Sequence, residues 1–198
     1  MKRMKFVLAS NNQKKLIELR AILGAQGHEV LSLRDCGVES DPEETGQTFE
    51  QNALIKARSA CIAAGIPAVA DDSGLVVDAL GGAPGVRSAR YCPGSDGDRV
   101  DFLLENMKAV PDEKRTARFV SAVACVFPDG RELVTRGECS GVILRASRGS
   151  GGFGYDPVFY VPEEGMTFAE LSAERKNEIS HRARALSVFA VRLKDMLG

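Results

Sequence analysis

Two adjacent aspartates, Asp71 and Asp72, follow the short apolar run Ala68-Val69-Ala70, and a second acidic pair, Glu43 and Glu44, lies in the polar loop Asp41 to Gly46. Such a set suits magnesium, which takes a few carboxylates and completes its shell with water and phosphate oxygens. Successive residues of a strand point to opposite faces, so a regular strand aims only one of the two aspartates at a given site. Read as a strand end, Asp71-Asp72 would border the crevice where open α/β sheets bind ligands. The competing reading is that these are solvated loop acids.

A place for phosphate is suggested by Ser10-Asn11-Asn12-Gln13-Lys14-Lys15. It follows the apolar Phe6-Val7-Leu8-Ala9 and precedes Leu16, Leu19 and Leu23 at helical spacing, so it reads as a strand-to-helix junction. Ser10 and Gln13 have the spacing of a capping box. Lysines in a first turn oppose the helix dipole, which is easier to understand if an anion binds there. An ordinary capped helix with solvated lysines is the alternative.

Gly149-Ser150-Gly151-Gly152-Phe153-Gly154 fits G-x-G-x-x-G literally but is not a dinucleotide fingerprint, because Tyr155-Asp156-Pro157 follows where a helix should begin. A loop carrying Phe153, Tyr155 and Asp156 that stacks on a base is the better description. Lys176 and Ser180-His181-Arg182 form a further polar group around the start of the last helix. Neither of the two histidines, His28 and His181, has a partner at zinc-ligand spacing. The phosphate-binding loop G-x-x-x-x-G-K-[ST] and the hydrolase elbow G-x-S-x-G are both missing.

The elements that must position these residues are those of an α/β fold: strand, helix and strand over Lys5 to Leu33, then a helix over roughly Thr48 to Ala64. That helix turns Phe49, Ala53, Ala57, Ala60 and Ala64 inward and carries Asn52 and Lys56 together on another face. Val100 to Met107 reads as helix. Long strands over Ala117–Phe127 and Glu132–Leu144 meet at the hairpin signal Pro128-Asp129-Gly130. Ile179, Ala183, Leu186, Phe189 (or Ala190), Leu193 and Met196 step along one terminal helix. No repeat or long linker splits residues 1–198, which read as a single unit.

A net charge of -1 and 12 aromatic residues (nine Phe, three Tyr) argue against a module that binds nucleic acid by neutralising phosphates. No run approaches the roughly 18 apolar residues of a membrane span. Five scattered cysteines without a C-x-x-C pair point to a reduced, cytoplasmic protein. Three residues precede Met4, which reads as an alternative start.

Taken together, four blocks resemble the Ham1 family of inosine/xanthosine triphosphate pyrophosphatases, in that family's order. They are Ser10-x-Asn12-x-x-Lys15; Glu43-Glu44-Thr45-Gly46-x-Thr48-Phe49-x-x-Asn52-Ala53; Ala70 to Leu75 through Gly81-Gly82-Ala83-Pro84-Gly85; and Gly152 to Pro157 with Lys176-Asn177 and Ser180-His181-Arg182. The resemblance runs from Phe6 to about Leu193. It implies an elongated mixed β-sheet flanked by helices, with two lobes around a central substrate cleft, and a homodimer. It also implies hydrolysis of ITP, dITP and XTP to monophosphate and pyrophosphate, with Mg2+ as cofactor.

By the same resemblance, Ser10, Asn11, Asn12, Gln13, Lys14 and Lys15 bind the triphosphate. Asp72 is the catalytic carboxylate and holds the metal, with Glu43, Glu44 and Asp71 as the other candidate metal groups. Ser73, Phe153, Gly154, Tyr155, Asp156, Lys176, His181 and Arg182 bind substrate. Asp72 as general base and Asp72 as orienting ligand both remain open. Arginine only donates and an ionised aspartate only accepts, so Arg182 would read a 6-oxo group and Asp156 an N1–H, features that adenine lacks. Rival readings are a pyrophosphatase for a modified pyrimidine nucleotide and a nucleotide-binding regulator that has lost turnover.

Overall fold

The computed structural model describes residues 3–198; Met1 and Lys2, which the sequence reading set ahead of an alternative start, lie outside the described residues. Seven strands form one mixed sheet in the order β2-β1-β3-β4-β5-β6-β7. They are β1 (Lys5–Leu8), β2 (Glu29–Ser32), β3 (Ala68–Val77), β4 (Thr116–Val126), β5 (Glu132–Ile143), β6 (Phe159–Val161) and β7 (Met166–Thr167). The α-helices are α1 (Gln13–Gly24), α2 (Phe49–Ala64), α3 (Asp96–Asn106), α4 (Ala173–Ile179) and α5 (His181–Leu197), and three short 3-10 turns lie at Asp78–Leu80, Gly85–Arg90 and Asp112–Lys114.

The opening strand–helix–strand reading holds. β1 pairs in parallel with β2, Lys5 opposite Glu29, and with β3, Val7 opposite Ala68. Phe6, Val7 and Leu8 are all buried, as expected for a parallel strand covered on both faces. β5, β6 and β7 pair antiparallel. The Pro128-Asp129-Gly130 signal is a hairpin connection, closed by the Phe127 amide on the Arg131 carbonyl at 2.9 Å. Thr48 caps α2 in a full capping box with Gln51.

Four sequence expectations need correction. The cap of α1 is Asn12, whose side-chain oxygen accepts from the amides of Lys14 and Lys15 at 3.0 and 3.3 Å; Ser10 instead accepts from the Asn12 amide in a local turn. Asp71 and Asp72 do not end a strand, because β3 continues through Ser73-Gly74 to Val77 and leaves the carboxylates mid-strand. The third helix starts at Asp96, capped by Ser95, a turn ahead of Val100. The terminal helix is broken: Ser180 is extended (φ -64°, ψ 153°), and its hydroxyl caps the start of α5 by accepting from the Ala183 amide at 3.2 Å.

By its internal packing the chain divides into two compact units. The first comprises residues 1–72, 121–137 and 184–198, the second residues 73–120 and 138–183. The first has a core of Phe6, Leu8, Leu19, Leu23, Phe127, Phe189 and Leu193 with their neighbours. The second gathers Leu75, Leu103, Met107, Phe119, Phe159 and Phe168. Each fully buried side chain of this size is worth about 1.5–3 kcal/mol relative to exposure.

His28 lies in the first core, 5% exposed, its ring 5.4 Å from that of Phe6. Its Nδ1 accepts the Met4 amide at 3.3 Å, and burial lowers its pKa from 6.5. The unfolded chain therefore binds this proton more readily than the native one. His28 costs nothing above pH 6.5 and subtracts stability as the pH falls below it. In His28→Gln the drop in melting temperature between about pH 8 and about pH 5.5 is expected to shrink. An unchanged drop would remove His28 from the acid sensitivity of this unit.

Candidate active site

In the first unit, adjacent strand residues recruit lysines from different helices. Asp71, 6% exposed, receives the Lys15 ammonium of α1 at 2.7 Å. Asp72 receives the Lys56 ammonium of α2 at 3.2 Å, and the same ammonium lies 2.8 Å from Glu44. Asn52, one turn before Lys56 and fully buried, donates from Nδ2 to Asp72 at 3.3 Å. Its Oδ1 accepts the Gly46 amide at 2.8 Å, which ties the acidic loop to the helix. A Cβ at Gly46 would stand 2.5 Å from that oxygen, so the close approach requires glycine.

Burial raises the proton affinity of Asp72, reinforced by Glu44 and opposed by Lys56 and Asn52. For Lys56 burial works against the charge, yet the attraction of Asp72, Glu44 and Asp71 prevails and lifts its pKa above the ordinary lysine value. The ammonium between Asp72 and Glu44 marks a position where two hard carboxylate oxygens already converge on a cation. That donor set fits magnesium, which needs only one or two carboxylates when phosphate and water supply the rest. Among the described residues no cluster of three or more His, Cys, Asp or Glu is arranged to enclose a metal by itself. Glu43 is exposed and has no part in this group; Asp71 is engaged by Lys15.

The helix-terminus idea is modified by the Asn12 cap, which occupies the Lys14 and Lys15 amides. What the junction offers an anion is the ammonium of exposed Lys14 and that of Lys15, which is paired with Asp71. Asn11, Asn12, Gln13 and Lys14 are exposed and Ser10 is half-buried. Sequence reasoning missed Lys56 and Asn52 as site residues, although their four-residue spacing on an otherwise alanine-rich helix was the available signal.

In the second unit a cavity of about 190 Å3 is lined by Ser73, Phe119, Phe153, Gly154, Tyr155, Asp156, Lys176 and His181, with Asp96 and Arg99 of α3. Phe119 and His181 stack with ring centroids 4.9 Å apart. Asp156, 2% exposed, is paired with Lys176 and accepts the Phe153 amide at 2.8 Å. Burial raises its pKa, with Lys176 and the Phe153 amide pulling the other way. Gly152 (φ +77°) leaves room for that carboxylate, with which any Cβ there would collide. The Tyr155 hydroxyl donates to the Ser88 carbonyl at 2.8 Å, which anchors the loop from below. Arg182 is half-buried and is not among the lining residues; the cations that line the cavity are Lys176, as expected from sequence, and Arg99.

The chain is thus an α/β protein on a mixed sheet, whose first unit carries lysine-held carboxylates and whose second carries a ring-lined cavity with a buried ion pair. The sequence profile of the Ham1 family matches residues 6–191, and the chain belongs to that family. A dITP/XTP pyrophosphatase of Symbiobacterium thermophilum is 54% identical over 197 residues, spanning 100% of this chain and 98% of the relative. Among solved structures, the Ham1 protein of Staphylococcus aureus superposes with a TM-score of 0.91 at 39% identity, covering 97% of this chain and 99% of that one. A HAM1 protein from Coxiella burnetii gives 0.91 at 42% identity, with the same coverage of 97% and 99%.

Proposed function

We propose that this chain is a magnesium-dependent nucleoside-triphosphate pyrophosphatase that converts ITP, dITP and XTP to the monophosphate and pyrophosphate, clearing deaminated purines from the nucleotide pool. The observation that carries the reading is the convergence of Asp72 and Glu44 on one ammonium, in a chain 54% identical to a dITP/XTP pyrophosphatase.

Asp72 and Glu44 would hold the metal, which when bound offsets phosphate charge and polarises the phosphoryl group under attack. Lys15 and Lys56 bind phosphate oxygens and take up the charge that develops on the leaving pyrophosphate. Water adds to the α-phosphorus, the bond from that phosphorus to the bridging oxygen breaks, and Asp72 accepts the proton of the water. Its burial favours that role, because a base works best when its pKa is drawn toward the working pH.

The cavity of the second unit takes the base, with Phe153 and the Phe119–His181 stack supplying ring surface. Lys176 donates to a 6-oxo group and Asp156 accepts an N1–H; adenine offers neither. A homodimer is part of the proposal, supported by apolar side chains left exposed, Ile62 at 84% and Val191 at 61%. So is a cytoplasmic location: no helix among the described residues is long and apolar enough to cross a membrane, and the cysteines form no disulfide.

The deciding experiment follows the products from inosine, xanthosine, guanosine and adenosine triphosphates by chromatography, with and without magnesium. Monophosphate and pyrophosphate from the inosine and xanthosine compounds alone, and only with metal, are the expected result. Equal cleavage of all four would remove base reading by Lys176 and Asp156. Nucleotide binding without cleavage would replace the enzyme by a regulator.

A further inference from the structure

The glycine-rich loop that walls the base cavity has a tip held in an unusual way. Phe153 at that tip is 74% exposed, and its ring is met by the Lys176 ammonium 4.6 Å from its centroid. A second hollow of about 260 Å3 shares Asp96, Phe153 and Gly154 with the base cavity and is otherwise lined by residues such as Gly97, Val100 and Pro157. The tip therefore borders two open spaces. A short loop containing Gly151, Gly152 and Gly154, with positive φ at the last two (77° and 59°), has little backbone stiffness of its own.

The Phe153 amide is held by Asp156 at 2.8 Å, and at Gly154 the tip is tied to the rest of the second unit by a carboxylate from another element. Asp96 opens α3, and its Oδ2 accepts the Gly154 amide at 2.7 Å. Its Oδ1 accepts from Arg99 at 2.6 Å, and Arg99 is itself steadied by the Gly94 carbonyl at 2.9 Å. Arg99 and the Gly154 amide hold the Asp96 carboxyl below its ordinary range, so it is charged whenever the protein is folded near neutral pH. An exposed ion pair of this kind adds little stability by itself. Its effect is directional, since a carboxylate fixed by an arginine presents its second oxygen to one amide.

We propose that Asp96, aimed by Arg99, is a positioning residue for substrate: it latches the Phe153–Gly154 tip so that the wall of the base cavity is formed before a nucleotide arrives. This rests on the reading of that cavity as the base site. Without the latch, the cost of ordering the tip is met from binding energy, and affinity falls while the chemistry at Asp72 is untouched.

In Asp96→Ala the KM for dITP is expected to rise about tenfold, the worth of one charge-assisted hydrogen bond, with kcat within about twofold. The Gly154 amide, followed by NMR hydrogen exchange, should lose its protection. Asp96→Asn keeps an oxygen that can accept from Gly154 and should recover much of both. Phe153→Ala serves as the control for the cavity itself. A raised KM in Phe153→Ala with an unchanged KM in Asp96→Ala would sink the latch and keep the base site. Unchanged KM in both would remove the base site and the latch together. A Gly154 amide that stays protected in Asp96→Ala would also overturn the proposal, because something else would then hold the tip.

Discussion

Asp72→Asn is expected to lower turnover of dITP about a thousandfold, within the range associated with loss of a positioned general base. The fold should survive, because Lys56 keeps Glu44 as a partner at 2.8 Å when the Asp72 charge is removed. Nucleotide affinity, read by calorimetry in the absence of turnover, should change by no more than a few fold, since Lys15 and the base cavity are left intact. The wild-type pH profile carries the same signature. Asp72 must be ionised to accept a proton, and burial raises its pKa from 3.8. The acid limb of kcat/KM, which reports the free enzyme, should therefore fall at a pH above the usual carboxylate range and should be absent from the residual activity of the variant. Near-native turnover in Asp72→Asn would take this residue out of the centre of the reaction.

The largest effect on stability is expected at Arg115, which does not line the base cavity or join the lysine–carboxylate group. This side chain is 3% exposed and its partners are all backbone carbonyls: Nε donates to Ile143 at 2.7 Å, Nη1 to Met107 at 2.7 Å and Val110 at 3.4 Å, and Nη2 to Leu144 at 3.0 Å. Burial lowers its pKa, aided by the nearby Arg145 and opposed by Asp112. The guanidinium thus stitches the exit of α3 to the end of β5. Arg115→Ala removes charge-assisted bonds and leaves buried carbonyls unsatisfied, a loss of about 3–4 kcal/mol. For a chain of this size that corresponds to roughly 10 °C in melting temperature. Arg115→Lys should retain only part of the stability, because a single ammonium cannot span the planar fan of acceptors. Urea denaturation of both variants checks the order, and a cost below about 0.5 kcal/mol for the alanine variant would mean the carbonyls find other donors.

Much of this architecture was legible in the sequence, and the gaps have physical causes. The run Phe6 to Leu8, the leucines at 16, 19 and 23, the helical spacing from Thr48 to Ala64 and the Pro128-Asp129-Gly130 hairpin each carry a local signal strong enough to survive tertiary context. The break at Ser180 was hidden because Ile179, Ala183 and Leu186 keep helical spacing across it. β3 looked finished at Asp72 because two aspartates, a serine and a glycine are poor strand formers; tertiary partners hold them there. At the candidate site the acids were visible as acids. Their lysine partners were not, since the Lys56–Asp72 and Lys15–Asp71 pairings join distant segments and leave no pattern in either one. Arg115 gave no sign at all, because a residue that bonds only to backbone has no complementary side chain to betray it.

The placement of Asp71 and Asp72 side by side within β3 has a consequence for how this protein can be altered. Consecutive strand positions face opposite ways, and a shift by one residue exchanges every outward side chain for an inward one. Because each aspartate is addressed to a lysine on its own helix, deleting or inserting a single residue upstream in β3 would deliver both carboxylates to the wrong recipients at once. A change of two residues would restore the facing but carry both carboxylates about 6.6 Å along the strand, out of reach of either lysine, so the pair must be moved together with its helices as one part.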